Sequence, residues 1–424
     1  MDLQGLRPAR ERLGTLKADS RRGPPPRDES SPTQGEAHLV IRDAVHGDIE
    51  LSDAEAYVLD APEVQRLRGI QQLGTTSLVY PSARHSRWEH DLGTLHTAGR
   101  ILTALVHNGA VVQQPEAAVT RMVALLHDVT HVPFGHTLED ERGLMARHDE
   151  GPRLAWLLAG ELGRRLERVD MLQPVRATLQ PSAAALQPSG SAARPSAVPN
   201  AERTEIREAP PAWVRQIVAS TVDADLLDYL RRDAYFAGLT AGYDDRVYSY
   251  FVLDGDQLAL SVGDGRAIRP DALSEIVQVL RTRYFLTERV YFHHTKLAAG
   301  AMISKAVESA MDHGWLREEQ LLEESDDSLL RHLSKIAGAQ DDPAATTVAS
   351  LVDGVRCRRL YKRAFVLSPG ECDESCRAEL TRRYWRAGPE RRQAEQELAG
   401  AAGAPLGSVI IWCAQQGALK EAAA

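Results

Sequence analysis

Three segments of this chain combine a helical apolar rhythm with imidazoles and carboxylates that a core does not tolerate unpaired. The first runs from Trp88 to Val106. There Leu92, Leu95, Ile101, Leu102 and Leu105 recur at helical spacing behind Ser86-Arg87-Trp88-Glu89-His90-Asp91. The second is a helix over 117–128, apolar at Val119, Met122, Val123, Leu125 and Leu126. It ends on His127-Asp128 and runs on through Val129-Thr130-His131-Val132-Pro133-Phe134-Gly135-His136, where Pro133 and Gly135 break the pattern. The third spans 222–233 and sets Asp225 against Leu226, Leu227 and Leu230.

Neighbouring residues on a helix lie about 100° apart around its axis, so one ion beside the helix end can take both His127 and Asp128. Nitrogen together with carboxylate oxygen suits a divalent transition metal: Fe, Mn, Zn or Co, with Mg less favoured. A His-Asp pair alone is more often a cap or a surface pair. His90 and Asp225 on two further core-forming helices shift the balance toward coordination. The competing reading of Asp225 is a buried salt bridge to Arg231 or Arg232.

The rest of the sequence bounds this picture. The chain has 424 residues and a formal net charge of -9, an acidity that argues against bulk electrostatic binding of nucleic acid. Aromatics are 5%, so the core is aliphatic. No run is apolar enough to span a bilayer, the first thirty-odd residues lack a signal-peptide core, and four cysteines after residue 356 make no disulfide framework. The chain reads as cytoplasmic. Cys372 and Cys376 read as free thiols, and His293-His294 as no second metal site.

Residues 1–36 read as a disordered tail, and 172–211, rich in Ala, Ser and Pro, as a flexible low-complexity insertion. HLVIRDAVHGDIELS reads as a hairpin, Leu51–Leu73 as helical with Pro62 in the first turn of a second helix, and 151–168 and 212–238 as helices. Residues 251–262 read as a hairpin turning at Asp254-Gly255, and 271–312 as one long helix or two joined ones. YKRAFVLS and SVIIWCA are strand candidates. The expected fold is mostly α: a helical core over 37–312 with small β-hairpins, then a small α+β C-terminal region over 313–424.

The order His90, His127-Asp128, Asp225 resembles the H…HD…D signature of the HD-domain superfamily of metal-dependent phosphohydrolases. RDAVHGDIEL, DAPEVQRLRGIQQLG, SRWEHDLG, HDVTHVPFGH, DADLLDYLRRDA and RVYFHH resemble, in order, the deoxynucleoside triphosphate triphosphohydrolase branch over roughly residues 38–365. The resemblance implies one catalytic metal on His90, His127, Asp128 and Asp225. It implies attack on the α-phosphorus, releasing deoxynucleoside and inorganic triphosphate. His136 would protonate the departing 5′ oxygen, and His131 with His148 would complete a proton network. Arg87 and Arg283 would grip the triphosphate, and Gln72, Leu73, Tyr229, Asp233 and Tyr291 would line the sugar and base. Asp60, Gln65 and Arg68 match contacts to a regulatory guanine nucleotide, and a homo-oligomer is expected.

Several positions depart from that branch. The Leu-Gly pair after the HD is here Val129-Thr130. The aspartate that supports the catalytic histidine is here Glu139. A phosphate-contacting lysine is Leu226, a base-contacting glutamine is Phe292, and a basic regulatory contact is Leu39. Asp60 also reads as a helix N-cap ahead of Pro62. Two other functions stay open from sequence: an HD-type phosphodiesterase or phosphatase on a cyclic or modified nucleotide, and a nucleotide- or nucleic-acid-sensing regulator with little turnover.

Overall fold

The computed structural model describes residues 37–180, 210–263, 267–367, 370–385, 388–405 and 407–413. The tail over 1–36 and residues 181–209 of the low-complexity stretch lie outside the described residues. An antiparallel hairpin opens the fold: β1 (Ala37–Asp43) and β2 (Gly47–Ser52), with Ile41 opposite Ile49. Ser52 caps helix α1 (Asp53–Leu59), its hydroxyl on the Glu55 amide and the Glu55 carboxylate on its own amide. Ala61, not Asp60, caps the next short helix, α2 (Pro62–Gln65); Asp60 closes α1.

The centre is helix α3 (Arg87–His107), started by a second reciprocal cap between Ser86 and Glu89. Leu92, Leu95, Ala98, Ile101, Leu102 and Leu105 are buried along it. Helix α4 (Gln114–Leu126) packs against α3, and its last residues, Met122 to Leu126, are all buried. Short helices α5 (Arg153–Leu158), α6 (Glu161–Arg168) and α7 (Leu172–Leu179) follow. Helix α7 corrects the start of the expected insertion. Val175 and Thr178 are buried in it, so residues 172–179 have a core to join.

The helix expected over 212–238 is two helices, α8 (Ala212–Gln216) and α9 (Ala224–Ala237). The break follows from Asp223. Its extended backbone cannot continue a helix, and its carboxylate takes the amides of Ser220 and Leu226 at 2.6 and 2.8 Å, starting α9 afresh. Helix α9 lies against α3. A hairpin, β3 (Phe251–Asp254) with β4 (Gln257–Leu260), turns where expected.

Helices α10 (Pro270–Leu286) and α11 (His294–Asp312) are joined through a π-helical turn, Thr287–Tyr291. Then come α12 (Glu318–Leu321), α13 (Asp326–Gly338), α14 (Pro343–Arg356), α15 (Glu374–Tyr384) and α16 (Pro389–Ala401). The strands expected in YKRAFVLS and SVIIWCA are absent among the described residues. Phe365, Val366 and Leu367 are exposed and pair with no neighbouring strand. The described C-terminal region is therefore helical, and the fold as a whole is mostly α. Cys372 and Cys376 are joined in a disulfide rather than free, because the start of α15 brings their Cα atoms to 5.6 Å. Among the described residues no helix is long and apolar enough to cross a membrane.

Candidate metal centre and active site

Helices α3, α4 and α9 meet where the sequence put its ionisable groups. His90 is fully buried on the first turn of α3. Its Nδ1 donates to Asp228 Oδ2 at 2.7 Å, which turns the Nε2 lone pair toward α4 and α9. His127 closes α4 and donates Nδ1 to the Ala124 carbonyl at 2.9 Å, so its Nε2 points the same way. The two Nε2 atoms lie 3.2 Å apart. Asp225 Oδ1, from α9, sits 2.9 Å from His90 Nε2 and 3.6 Å from His127 Nε2. Asp128 Oδ1 lies 3.6 Å from His127 Nε2. These are separations expected of donors around one ion at about 2.0–2.3 Å from each. Asp225 faces the two imidazoles; Arg231 and Arg232 pair elsewhere, with Asp245 and with Asp43 and Asp228.

The electrostatics have the same sense. Burial opposes a charge on His90, but Asp225 and Asp228 outweigh it and hold the imidazole well above its usual range. Burial likewise opposes a charge on His127, yet Asp128 and Asp225 raise it to about 9. Burial, then the neighbouring Asp225 charge, pushes Asp223 up to about 8; burial and then Asp128 do the same to Asp91, despite His127. Carboxylates crowd the two imidazoles in a buried space, and a cation there would take the place of the protons that these shifts call for. The donor set therefore fits a divalent metal.

A second layer fixes the first. Asp228 accepts from His90, from His46 of the β1–β2 turn at 2.6 Å, and from Arg232 at 2.9 and 3.0 Å. Arg232 also binds Asp43. Gly93, one turn beyond His90, lets α9 come this close: a Cβ there would overlap Asp228 Oδ1 and Arg232 Nη2.

Beyond Asp128 the chain folds a second cluster. His131 and His148 stack with ring centroids 3.9 Å apart. Glu139 Oε2 faces His148 Nδ1 at 3.4 Å and His131 Nδ1 at 3.8 Å, while its other oxygen takes buried Arg153 at 2.5 Å. His131 Nε2 lies 3.3 Å from Asp128 Oδ1, which couples the two clusters. Burial, then the charges of Arg87 and His148, hold His131 well below its usual range. Thr130, a departure from the family pattern, fixes this layer by donating its hydroxyl to the His148 carbonyl at 2.7 Å.

His136 stands half-exposed at the rim, 4.9 Å from the His131 ring. The expectation that Glu139 supports it is corrected. Its Nδ1 donates to Asp140 Oδ2 at 2.7 Å instead. Residues 137–141 form a π-helical turn, a wider coil that brings the fourth residue, not the third, back beneath His136.

The substrate-side residues fall into two groups. Tyr229 and Tyr291 meet edge to face at 6.2 Å, and Tyr291 Oη donates to Asp233 Oδ2 at 2.6 Å; Asp233 also takes His85 Nε2 at 2.8 Å. This wall stands on α9 just past Asp225. The Arg283 charge acts on the Tyr229 phenol, which burial nonetheless raises well above its usual range. Gln72 presents a buried amide oxygen with no protein hydrogen-bond partner. Leu73 packs in the core, and Arg87, expected as a phosphate clamp, is buried in a salt bridge to Asp128. Leu226 is buried in the core, so a lysine there would have to be desolvated. Phe292 meets the Trp412 ring edge. Gln65 bonds Arg68, whose guanidinium lies 3.5 Å over Trp88.

Sequence reasoning missed several supports. Arg66 donates to the carbonyls of Val129 and His131 at 3.1 and 2.7 Å, pinning the chain just after His127 and Asp128. Asp326 on α13 receives the amides of Gln71 and Phe134 at 2.9 and 2.8 Å. Phe134 and Gly135 both have positive φ, at 60° and 41°, and a Cβ on Gly135 would come 2.6 Å from Arg87 Nη2. Burial raises the Asp326 carboxyl to about 6 against the pull of those two amides. Asp326→Ala leaves two buried amides unpaired, and a loss of about 2–5 kcal/mol is expected by chemical denaturation.

The likeness to known proteins runs through both halves. Residues 265–424 match the model of the HD associated region. A deoxynucleoside triphosphate triphosphohydrolase homolog of Dictyostelium discoideum is 27% identical over 348 residues, 76% of this chain and 59% of its own. The human enzyme of that name is 27% identical over 288 residues, 65% and 45% of the two chains. An uncharacterized Methanocaldococcus jannaschii protein is 30% identical over 272 residues, 63% and 49%. The chain thus spans about half the length of these curated relatives. A Bacteroides thetaiotaomicron phosphohydrolase shares the fold at TM-score 0.61 and 20% identity, covering 87% of this chain and 85% of its own. In its helical fold, its converging His-Asp cluster and these relatives, the chain is similar to the HD-domain phosphohydrolases, and among them to the deoxynucleoside triphosphate triphosphohydrolases.

Proposed function

We propose that this protein is a metal-dependent nucleotide phosphohydrolase that cleaves a dNTP into deoxynucleoside and inorganic triphosphate. The observation that carries the reading is the coupling of two clusters through Asp128: a metal-ligand set on one side, and three histidines with Glu139 on the other. A binding module needs the first and not the second.

His90, His127, Asp128 and Asp225 hold the ion. A divalent metal there supplies neutralisation of phosphate charge and acidification of a water. The chain's own groups do the rest. Water adds to the α-phosphorus, and the bond from that phosphorus to the 5′ oxygen breaks. His136 gives its proton to the departing oxygen, which leaves as the 5′-hydroxyl of the deoxynucleoside. His131 and His148, held by Glu139 and Thr130, carry the proton taken from water and replenish His136. Arg283 faces the polyphosphate. Tyr229, Asp233 and Tyr291 form the wall against sugar and base, and Gln72 offers its unmet amide oxygen. Arg87 acts through Asp128, orienting a ligand rather than gripping phosphate. Of the three expected contacts to a regulatory nucleotide, Arg68 lines a cavity of about 420 Å³ together with Arg42, Arg84, Asp43 and Glu89, while Asp60 and Gln65 do not.

The test is product analysis. Purified protein with Mn or Co is offered dNTPs, NTPs and cyclic nucleotides, and the products are separated by chromatography. Deoxynucleoside and intact triphosphate in equal amounts are expected. Monophosphate or pyrophosphate rejects the reaction and favours a phosphodiesterase or phosphatase. Nucleotide binding without turnover favours a sensor.

A further inference from the structure

The turn that carries His136 and Glu139 is gripped from the far end of the chain. Trp385, just after α15, donates its indole Nε1 to the Asp140 carbonyl at 2.8 Å. Arg391 of α16 donates to the Arg142 carbonyl at 2.9 Å and to the Trp385 carbonyl at 3.2 Å. Arg142 in turn is bonded to Glu395 of α16 at 3.0 Å and to Glu308 of α11 at 2.9 Å. Arg391 closes the group on Glu308 at 2.6 Å, and Lys305 reaches Glu395 at 2.7 Å. Arg142 and Arg391 are fully buried, and Glu308 and Glu395 nearly so.

A buried network of this kind adds little net stability over an apolar replacement, but it fixes geometry, since displacing one member strands the others. What it fixes here is a π-helical turn, whose hydrogen-bond pattern is a poor one by itself. Two points are held, the carbonyl of residue 140 on that turn and the carbonyl of residue 142 just past its end. The Asp140 side chain then orients His136 through Nδ1, leaving Nε2 for the substrate.

We infer that the α15–α16 segment is a positioning element for His136: Trp385 holds the backbone at Asp140, and Asp140 holds the imidazole. This rests on the proposed role of His136 as proton donor. Trp385 and Asp140 are positioning residues and touch no reacting atom.

Trp385→Phe removes the indole N–H and keeps a ring; Asp140→Asn keeps the shape and removes the charge. Both are made in the full chain. For a dNTP, kcat is expected to fall about 10-fold in Trp385→Phe and about 10- to 100-fold in Asp140→Asn, with KM within about 2-fold, a fraction of what a general acid contributes. For bis(p-nitrophenyl) phosphate, whose leaving group departs without a proton, both variants are expected to stay within about 2-fold of the parent. Equal losses on both substrates, or no loss on either, overturn the inference. If the parent releases no deoxynucleoside, the function reading fails by itself, and a second measurement still decides the positioning. In zinc-loaded protein labelled with ¹⁵N-histidine, Trp385→Phe should move the imidazole resonances of His136 and leave those of His90 and His127 in place. An unmoved His136 overturns the inference whatever the activity.

Discussion

Asp128→Ala is expected to abolish both metal retention and hydrolysis. In the proposed site the carboxylate is a ligand; it is also the partner of Arg87 and the neighbour of His131, so its removal strands a buried guanidinium. Losing the ion removes several kcal/mol of transition-state stabilisation, on the order of 10³-fold or more in kcat/KM. Asp225→Ala should lose metal and activity too, though it sits at the open side of the cluster. Asp228→Asn, which touches His90 only from behind, should cost about 10- to 100-fold in metal affinity. Elemental analysis of the purified variants checks all three. Unchanged metal in both the Asp128 and Asp225 variants would place the ion elsewhere, with His131, His136, Glu139 and His148 as the next group of donors.

The second large effect is expected at Gly93, which sequence alone marks only as a helix-interior glycine. Alanine there improves helix propensity by about 1 kcal/mol, which on an exposed helix would stabilise. Here the added methyl overlaps Asp228 and Arg232. Relieving it means pushing α9 from α3 or breaking a buried ion pair, a cost of about 3–5 kcal/mol. A net loss of about 2–4 kcal/mol in chemical denaturation is therefore expected, with weaker metal binding because His90 loses its support. A stabilised Gly93→Ala variant would show that the two helices have slack.

The proposed metal set was legible because its four members lie in or at the ends of apolar helical segments, where a charge needs a partner, and because their order matched the H…HD…D pattern. Helices α3 and α4 and both hairpins followed from periodicity and turn residues. What escaped was whatever depends on a partner far along the chain. Asp326 and Trp385 look like an ordinary helix-start acid and an isolated aromatic; nothing local says that one holds two loops and the other a carbonyl. Asp223 looked like part of a continuous helix, and only its bonds to Ser220 and Leu226 show it as a start. Glu139 was matched by position in a motif, and the wider turn passed its expected partner to Asp140. The strand candidates near the C-terminus failed for another reason: β-prone composition makes no strand without a neighbour to pair with.

The bond from His46 to Asp228 joins residues 182 positions apart and completes the shell around His90. During synthesis, His90, His127 and Asp128 leave the ribosome long before Asp225 and Asp228, at about 5–20 residues per second. An ion arriving early meets three donors, one of them unsteadied. On the proposed ligand set, loading the ion is therefore a late event, one that waits for helix α9 to dock on α3 and complete the site.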